Sequence, residues 1–216
     1  FHAVIAARVF DHSVLERMAG AVDIPVVNLL SDLSHPTQAV ADLLTIRAEF
    51  GPGLGGRTLT WVGDYSNVAR SLGLAAAMQG MAVRFGCPVG YEPPAEDLAR
   101  MRELGALEAV HDTDPKAVVA GTHVVVADAW YSMGEEDEAA IRKPIFEPYR
   151  VDAALMAAAA GDAIFLHCLP AHRGEEVSDE VLDGPQSRVW PEAANRLPAA
   201  RGVLELLLLE SAKELG

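Results

Sequence analysis

The stretch around which this chain is organised reads AIFLHCLP and covers residues 163–170. It begins as an apolar run of the kind that fills a strand buried on both faces of a parallel sheet. It ends abruptly in His167, Cys168, Leu169 and Pro170. In open α/β sheets, ligands bind beyond the carboxyl ends of the strands. The stretch therefore predicts a buried strand that delivers reactive side chains to a binding site.

Outward from this stretch, strand-like segments alternate with helical ones along the whole chain. Strands are predicted at residues 4–9, 24–30, 58–62, 82–85, 109–111 and 124–127, with helices between them. Strand–helix–strand units of this length form parallel sheets through right-handed crossovers. We therefore predict an α/β protein with two doubly wound parallel-sheet domains, of which the amino-terminal one is incomplete in these residues.

A glycine-rich break, GPGLGG at residues 51–56, is the predicted joint between the domains. Residues 1–50 are then the carboxyl-terminal part of the first domain with its linking helix, and residues 51–190 are the second domain. Residues 191–216 are predicted to be a terminal helix that returns to the first domain. Residues 188–190 are predicted to form a last strand, and residues 131–149 an irregular lid.

Composition excludes several classes of protein. The 216 residues carry a formal net charge of −14 at pH 7, which argues against binding to nucleic acid or to an anionic membrane. No apolar run approaches the roughly 20 residues that span a bilayer. The two cysteines, Cys87 and Cys168, are no disulfide framework and are typical of a reducing compartment. We therefore predict a cytoplasmic protein with neither nucleic acid nor membrane as a partner.

Several polar side chains fall at predicted strand ends or helix starts, where a ligand can reach them. Arginine suits the bidentate recognition of phosphate, and helix amino termini attract anions. Asparagine and aspartate suit the carboxylate and ammonium groups of an amino acid. Together these polar side chains predict a binding site for a phosphorylated reactant beside an amine. The residues are Arg8, His35, Gln38, Asn67, Asp128, Ser132, Cys168 and Arg196. Structural roles stay open: a capping His35 with a solvated Gln38, an N-cap at Asn67, and a hydrogen-bonding carboxylate at Asp128.

Cys168 itself allows three interpretations. A nucleophilic thiol needs a nearby base, but the adjacent His167 points to the opposite face of a strand, and His172 serves only if its loop folds back. A metal site made of these three residues lacks a second thiol at ligand spacing. A buried, inert cysteine is the third interpretation. No nucleotide cofactor is expected, because the dinucleotide fingerprint is reduced to Gly63 and no Walker lysine is present.

Taken together, five motifs resemble those of the ornithine carbamoyltransferase family over essentially the whole chain. HPTQ at residues 35–38 is similar to its carbamoyl-phosphate motif, and GDYSN at 63–67 resembles its ornithine-side turn. DAWYSMG at 128–134 is similar to its mobile ornithine loop, HCLP at 167–170 to its central motif, and NR at 195–196 to its carboxyl-terminal arginine motif. The Ser-Met-Gly loop and the cysteine after the histidine favour ornithine over aspartate carbamoyltransferase, where the central motif reads HPLP.

The resemblance implies a reaction and a role for each site residue. Carbamoyl phosphate and L-ornithine give L-citrulline and phosphate, in arginine biosynthesis or catabolism, with no metal or cofactor. The residues that the resemblance implies for carbamoyl phosphate are Arg8, His35, Gln38, Cys168, Leu169 and Arg196. Those implied for ornithine are Asn67, Asp128, Ser132, Met133 and Cys168. His35, Cys168 and Arg196 are the implied catalytic residues, with His35 donating to the carbamoyl oxygen as negative charge builds there. The family also implies a homotrimer.

Two departures from the family pattern keep alternatives open. The Ser-x-Arg-Thr-Arg phosphate loop is not found in these residues, and we expect it upstream of Phe1. Ala194 stands where the family usually has glutamate, which is expected to loosen how Arg196 is held. The alternatives are a non-catalytic ligand-binding module with a carbamoyltransferase-like fold and a sister carbamoyltransferase with another amine acceptor. A nicotinamide dehydrogenase is disfavoured by the lone Gly63.

Overall fold

The computed structural model describes residues 2–131 and 136–214. Its strands are β1 (Ile5–Arg8), β2 (Val26–Leu30), β3 (Thr58–Val62), β4 (Ala82–Gly86), β5 (Ala109–Asp112), β6 (Val124–Ala127) and β7 (Ile164–His167). Its helices are α1 (Ser13–Ala21), α2 (Pro36–Phe50), α3 (Asn67–Met78), α4 (Ala95–Glu103), α5 (Pro115–Val119), α6 (Ala139–Phe146), α7 (Ala153–Met156), α8 (Asp179–Leu182) and α9 (Val189–Glu214). Short 3₁₀ turns at Glu136–Glu138 and Glu147–Tyr149 flank α6.

Two parallel sheets organise the described residues, as the alternating pattern predicts. One pairs β1 with β2, and the other has the strand order β5-β4-β3-β6-β7. The order reverses next to β3, because the chain adds β4 and β5 on one side and β6 and β7 on the other. In doubly wound sheets a ligand crevice opens where the order reverses. The α/β, parallel-sheet fold class is confirmed.

The five-stranded sheet is covered by helices on both faces, and its strand β6 (VVVA) is apolar at every position rather than alternating. Val124 and Val126 of β6 pack into one buried cluster with side chains of α2, α3 and α4. Val125 and Ala127 pack into a second cluster with side chains of α5, α7 and α8. A strand that must be apolar on both faces reads as a continuous hydrophobic run. This double burial fixes the sheet, and with it the positions of the strand ends.

Helix α2 links the two-stranded sheet to the five-stranded sheet. Its Ala39 and Ile46 belong to the same buried cluster as β3 and α3, although the helix follows β2 in the chain. Helix α9 packs along α2, and Asn195 Nδ2 donates to Thr45 Oγ1 at 2.9 Å. The polar residues near the start of α9 are therefore held against the first turns of α2.

Two sequence predictions about local structure are wrong. Residues 188–190 are not a strand: α9 already begins at Val189, and the bridge to Phe165 is an isolated one made by Ser187, with the Arg188 backbone N–H donating to the Phe165 carbonyl at 2.9 Å. Pro191 is tolerated because the first turn of a helix has no use for its missing N–H. The predicted irregular lid at residues 131–149 is helical from Glu136 to Tyr149, with Pro144 inside α6. None of the described helices is long and apolar enough to cross a membrane.

Candidate active site

The register of the central strands places Asp128 and Cys168 beside each other. Ala127 of β6 lies opposite His167 of β7, so the next residue of each strand emerges at the same sheet edge. Cys168 Sγ donates to Asp128 Oδ1 at 3.3 Å, and the same oxygen accepts the backbone N–H of Ala129 at 2.8 Å. Burial and the Asp128 carboxylate raise the pKa of the Cys168 thiol well above its usual value. A thiol that keeps its proton is a poor nucleophile but a good positioned donor.

His167 lies on the other face of β7, as the strand alternation predicts. Its Nδ1 accepts the backbone N–H of Leu169 at 3.0 Å, which leaves Nε2 to donate to Glu176 Oε1 at 3.2 Å. Leu169 has a left-handed φ of 61°, which turns the chain sharply after Cys168. His172 stacks on Tyr131, with ring centroids 5.2 Å apart, and donates its backbone N–H to Glu176. Neither histidine therefore takes the place of a base for Cys168.

Metal-ligand geometry at this edge involves a different trio from the one that the sequence suggested. The ligand atoms of Asp128, His167 and Cys168 lie within 4.8 Å of one another, so these residues could hold a cation. His172 instead groups with Glu175 and Glu176. The Asp128 carboxylate is already hydrogen-bonded to the thiol and to a backbone N–H, so the cluster is satisfied by its own donors.

His35 occupies the N-cap position of α2, as predicted, but its ring does not cap the helix. Its backbone N–H donates to Ser71 Oγ at 2.8 Å, and its buried Nδ1 has no hydrogen-bond partner among the described residues. Burial, followed by the charges of Arg196 and Arg8, lowers the pKa of His35 to about 4. A neutral imidazole with an unpartnered ring nitrogen is thus placed beside two arginines.

Gln38 is not the solvated residue that one alternative supposed, since its side chain is buried under α9. Its Nε2 donates to Asp42 Oδ1 at 2.7 Å and to Glu192 Oε1 at 3.1 Å. Its Oε1 accepts a hydrogen bond from Arg196 Nη1. The structure therefore brings Gln38 and Arg196 together, although they are far apart in the chain, and holds them with two buried acids.

The remaining predicted residues are distributed around this centre. Ser66, not Asn67, caps α3, and Asn67 Nδ2 donates to the Ser31 carbonyl at 2.6 Å across the gap between the two sheets. Arg8 ends β1 with an exposed side chain close enough to affect the pKa of His35. Ser132 and Met133 lie outside the described residues.

Two segments that flank residues 132–135 are anchored by ion pairs. Before them, Tyr131 Oη donates to Glu175 Oε2 at 3.1 Å. After them, Lys143 of α6 pairs with Oε1 of the same carboxylate at 2.7 Å. Arg142 of the same helix pairs with Asp64 Oδ2 at 2.7 Å and donates to the Trp130 carbonyl at 3.0 Å. The turn after β3 and the loop after β6 are thereby tied together at the sheet edge that carries Cys168.

Sequence reasoning missed Asp42 and Glu192. A signal for both existed, because Asp42 is four residues after Gln38 and Glu192 four residues before Arg196, on the same face of their helices. That spacing places each acid next to a predicted site residue. The sequence does not show that α2 and α9 pack together, so it could not show that the two acids meet.

Comparisons with known proteins agree with this geometry. Residues 55–207 match the family model described as "Aspartate/ornithine carbamoyltransferase, Asp/Orn binding domain", and residues 1–48 match the one described as its "carbamoyl-P binding domain". The chain is 46% identical over 207 residues to an ornithine carbamoyltransferase of Synechocystis, covering 95% of this chain and 67% of that protein. It is 48% identical over 200 residues to that of Caulobacter vibrioides, covering 93% and 63%.

A solved structure supports the same relationship. The ornithine carbamoyltransferase of Pyrococcus furiosus superposes with a TM-score of 0.91 at 42% identity, covering 96% of this chain and 67% of that one. The chain thus spans about two thirds of the length of the relatives that it matches.

Proposed function

Because this chain belongs to the aspartate/ornithine carbamoyltransferase family, we propose that the protein transfers the carbamoyl group of carbamoyl phosphate to the side-chain amine of L-ornithine. The products are L-citrulline and phosphate. The observation that carries this proposal is the meeting of the α2 start, the β6 and β7 ends and the α9 start around one point. It places a neutral imidazole, a buried amide, a thiol and arginines together.

Carbamoyl phosphate suits the side of the site formed by α2 and α9. Arg8 and Arg196 supply positive charge for the phosphate, and guanidinium groups bind its oxygens through parallel hydrogen bonds. His35 is neutral and has a buried, unpartnered ring nitrogen, so one N–H can be donated to the carbamoyl oxygen as charge develops there. The Oε1 of Gln38, which accepts from Arg196, lies on this side of the site, and we assign it as the acceptor for the carbamoyl N–H groups. The Leu169 backbone, turned by its left-handed φ, completes this side.

Ornithine suits the opposite side, at the ends of β3 and β6. The Cys168 thiol, held by the Asp128 carboxylate, orients the side-chain amine with the Leu169 backbone. Four residues hold the α-amino and α-carboxylate groups: Asn67, Asp128, Ser132 and Met133. The neutral amine attacks the carbamoyl carbon, the bond from that carbon to the phosphate oxygen breaks, and the departing phosphate takes up the proton that the nitrogen loses. The residues act by positioning and charge stabilisation and form no covalent bond to the substrate.

The setting of this activity forms part of the proposal. The pathway is arginine biosynthesis, since one relative is named as an anabolic ornithine carbamoyltransferase. The protein works in the cytoplasm as a homotrimer. The glycine-rich segment at residues 51–56 separates a carbamoyl-phosphate domain from an ornithine domain, and α9 returns to the first.

The test is steady-state citrulline formation by the full-length protein, with ornithine compared with lysine, putrescine and aspartate as acceptors. We expect turnover with ornithine and carbamoyl phosphate, and at least about tenfold lower kcat/KM with each other amine. Better turnover with another amine would indicate a sister carbamoyltransferase. Folded protein that binds both substrates but gives no product would refute catalysis and indicate a binding module.

A further inference from the structure

The side chains of Asp42 and Glu192 form a buried acid pair that no role in the reaction yet explains. Both are 1% exposed, on two different helices, and each accepts an N–H group of the same Gln38 amide nitrogen, at 2.7 Å for Asp42 and 3.1 Å for Glu192. Two carboxylates this close, away from water, cannot both carry a negative charge without a large penalty. The pair therefore holds one proton that is shared across the contact between α2 and α9.

The hydrogen bonds indicate which carboxyl carries that proton. Both oxygens of Glu192 already accept N–H groups: Oε1 from Gln38 at 3.1 Å and Oε2 from the backbone of His167 at 2.9 Å. Asp42 accepts only the Gln38 N–H, at Oδ1, among the bonds that the structure gives it. The geometry therefore favours a protonated Asp42 that donates to an ionised Glu192.

This arrangement fixes the orientation of the Gln38 amide. Its two N–H groups are used by the two acids, so its oxygen is left to accept a hydrogen bond from Arg196. The opposite orientation would aim N–H groups at the guanidinium of Arg196, which has only donors. Glu192 also contacts the backbone of His167, so it joins the start of α2 to the HCLP stretch.

We propose that Asp42 and Glu192 are positioning residues that share one proton and hold the Gln38 oxygen toward the carbamoyl group. This inference rests on the proposed function for the identity of the ligand. The charged and titratable groups that face the pair are Arg196 from α9, Asp128 from the end of β6 and Cys168 from the end of β7. Loss of the shared proton adds a second negative charge beside Arg196 and weakens the binding of a phosphate dianion. The KM for carbamoyl phosphate therefore rises at alkaline pH.

Two substitutions separate positioning from a purely structural role. In D42N the amide oxygen accepts from Gln38 and the amide nitrogen donates to Glu192, so the protonated arrangement is kept without a titratable proton. In E192Q one of the two N–H groups, from Gln38 or His167, must face the new amide nitrogen. We expect E192Q to raise the KM for carbamoyl phosphate about tenfold or more, with a smaller change in kcat. We expect a smaller KM increase in D42N, with the alkaline rise of KM abolished.

The matched control is E103Q, the same change at an exposed carboxylate of α4 that pairs only with Arg100 among the described contacts. Kinetics are measured on the full-length protein from neutral to alkaline pH for all three variants and the parent. If E192Q behaves like E103Q, or if D42N keeps the alkaline rise of KM, the proposal is overturned.

A second measurement does not depend on activity. At neutral pH the infrared spectrum of the parent protein should contain the C=O stretch of an un-ionised buried carboxylic acid. The spectrum of D42N should lack this band, so the band should appear in the difference between the two spectra. Absence of this band from the parent protein overturns the proposal. A parent that has the band but shows no carbamoyl transfer would refute the proposed function while the proton-sharing pair stands.

Discussion

Replacing Arg142 with alanine should selectively weaken the handling of ornithine. The Arg142 side chain is 13% exposed and its partner Asp64 is 26% exposed, so the ion pair is largely withdrawn from water. The Arg142 guanidinium also donates to the carbonyl of Trp130, a residue that precedes Ser132 and Met133 closely in the chain. Hydrogen bonds to charged groups contribute about 1.5–3 kcal/mol each when buried, and we take about 1 kcal/mol for each of these two after solvent screening. The loss of about 2 kcal/mol corresponds to a roughly thirtyfold increase in the KM for ornithine.

The assay is initial-rate citrulline formation by the full-length protein with each substrate varied in turn. Arg142 contacts Asp64, Glu138 and the Trp130 carbonyl on the side of the site formed by β3 and β6, so the KM for carbamoyl phosphate should change less than about threefold. The control is R100A, because Arg100 makes an exposed pair with Glu103 that is worth at most about 1 kcal/mol. An R142A enzyme whose ornithine KM stays within threefold of the parent, or whose two KM values rise together, contradicts the inferred anchoring.

Three further predictions concern residues at the centre of the site. C168A should raise the ornithine KM about tenfold. C168S can still donate a hydrogen bond to Asp128, so its ornithine KM should rise less, and titration with ornithine distinguishes the two variants. R196A should raise the carbamoyl-phosphate KM by about a hundredfold and leave the ornithine KM nearly unchanged, and R196K should recover only part because lysine lacks the planar fork. His35 has a folded-state pKa of about 4, below its usual 6.5, so its contribution to stability is complete above pH 6.5 and is lost as pH falls toward 4. Urea unfolding at stepped pH should show a shallower decline over this window for H35N than for the parent.

The fold could be predicted because its strands are buried on both faces. The run at 124–127 is apolar at every position, and both of its faces are covered by helices. Prediction failed where local composition and tertiary packing disagree. Val189 and Trp190 have strand-like side chains, but Val189 is buried as part of a helix whose first turn accepts Pro191. Pro144 and Pro148 suggested an irregular stretch at residues 131–149, but α6 forms there with Pro144 inside it, and its Arg142 pairs with Asp64.

The site could be predicted only in part, for a physical reason. Residues at strand ends and helix starts converge by topology, so Asp128 and Cys168 were found from position alone. A buried acid on a helix looks the same in sequence as a solvated one. Asp42 and Glu192 therefore became visible only when the packing of α9 on α2 placed both carboxyl groups on one amide.

The whole chain is acidic, whereas the carbamoyl-phosphate side of the site contains two arginines. The two facts are compatible because charges act mainly over short distances. The net charge of −14 acts at a surface where salt screens interactions beyond about 8 Å. Within the site the shared proton limits Asp42 and Glu192 to one negative charge between them, and the Asp128 carboxylate lies beside the Cys168 thiol, on the ornithine side. His35 is neutral there, which leaves Arg8 and Arg196 as the local charges beside it. An acidic protein can thus present a positive pocket to a phosphate dianion, because the field at a buried site is set by the few groups that touch it.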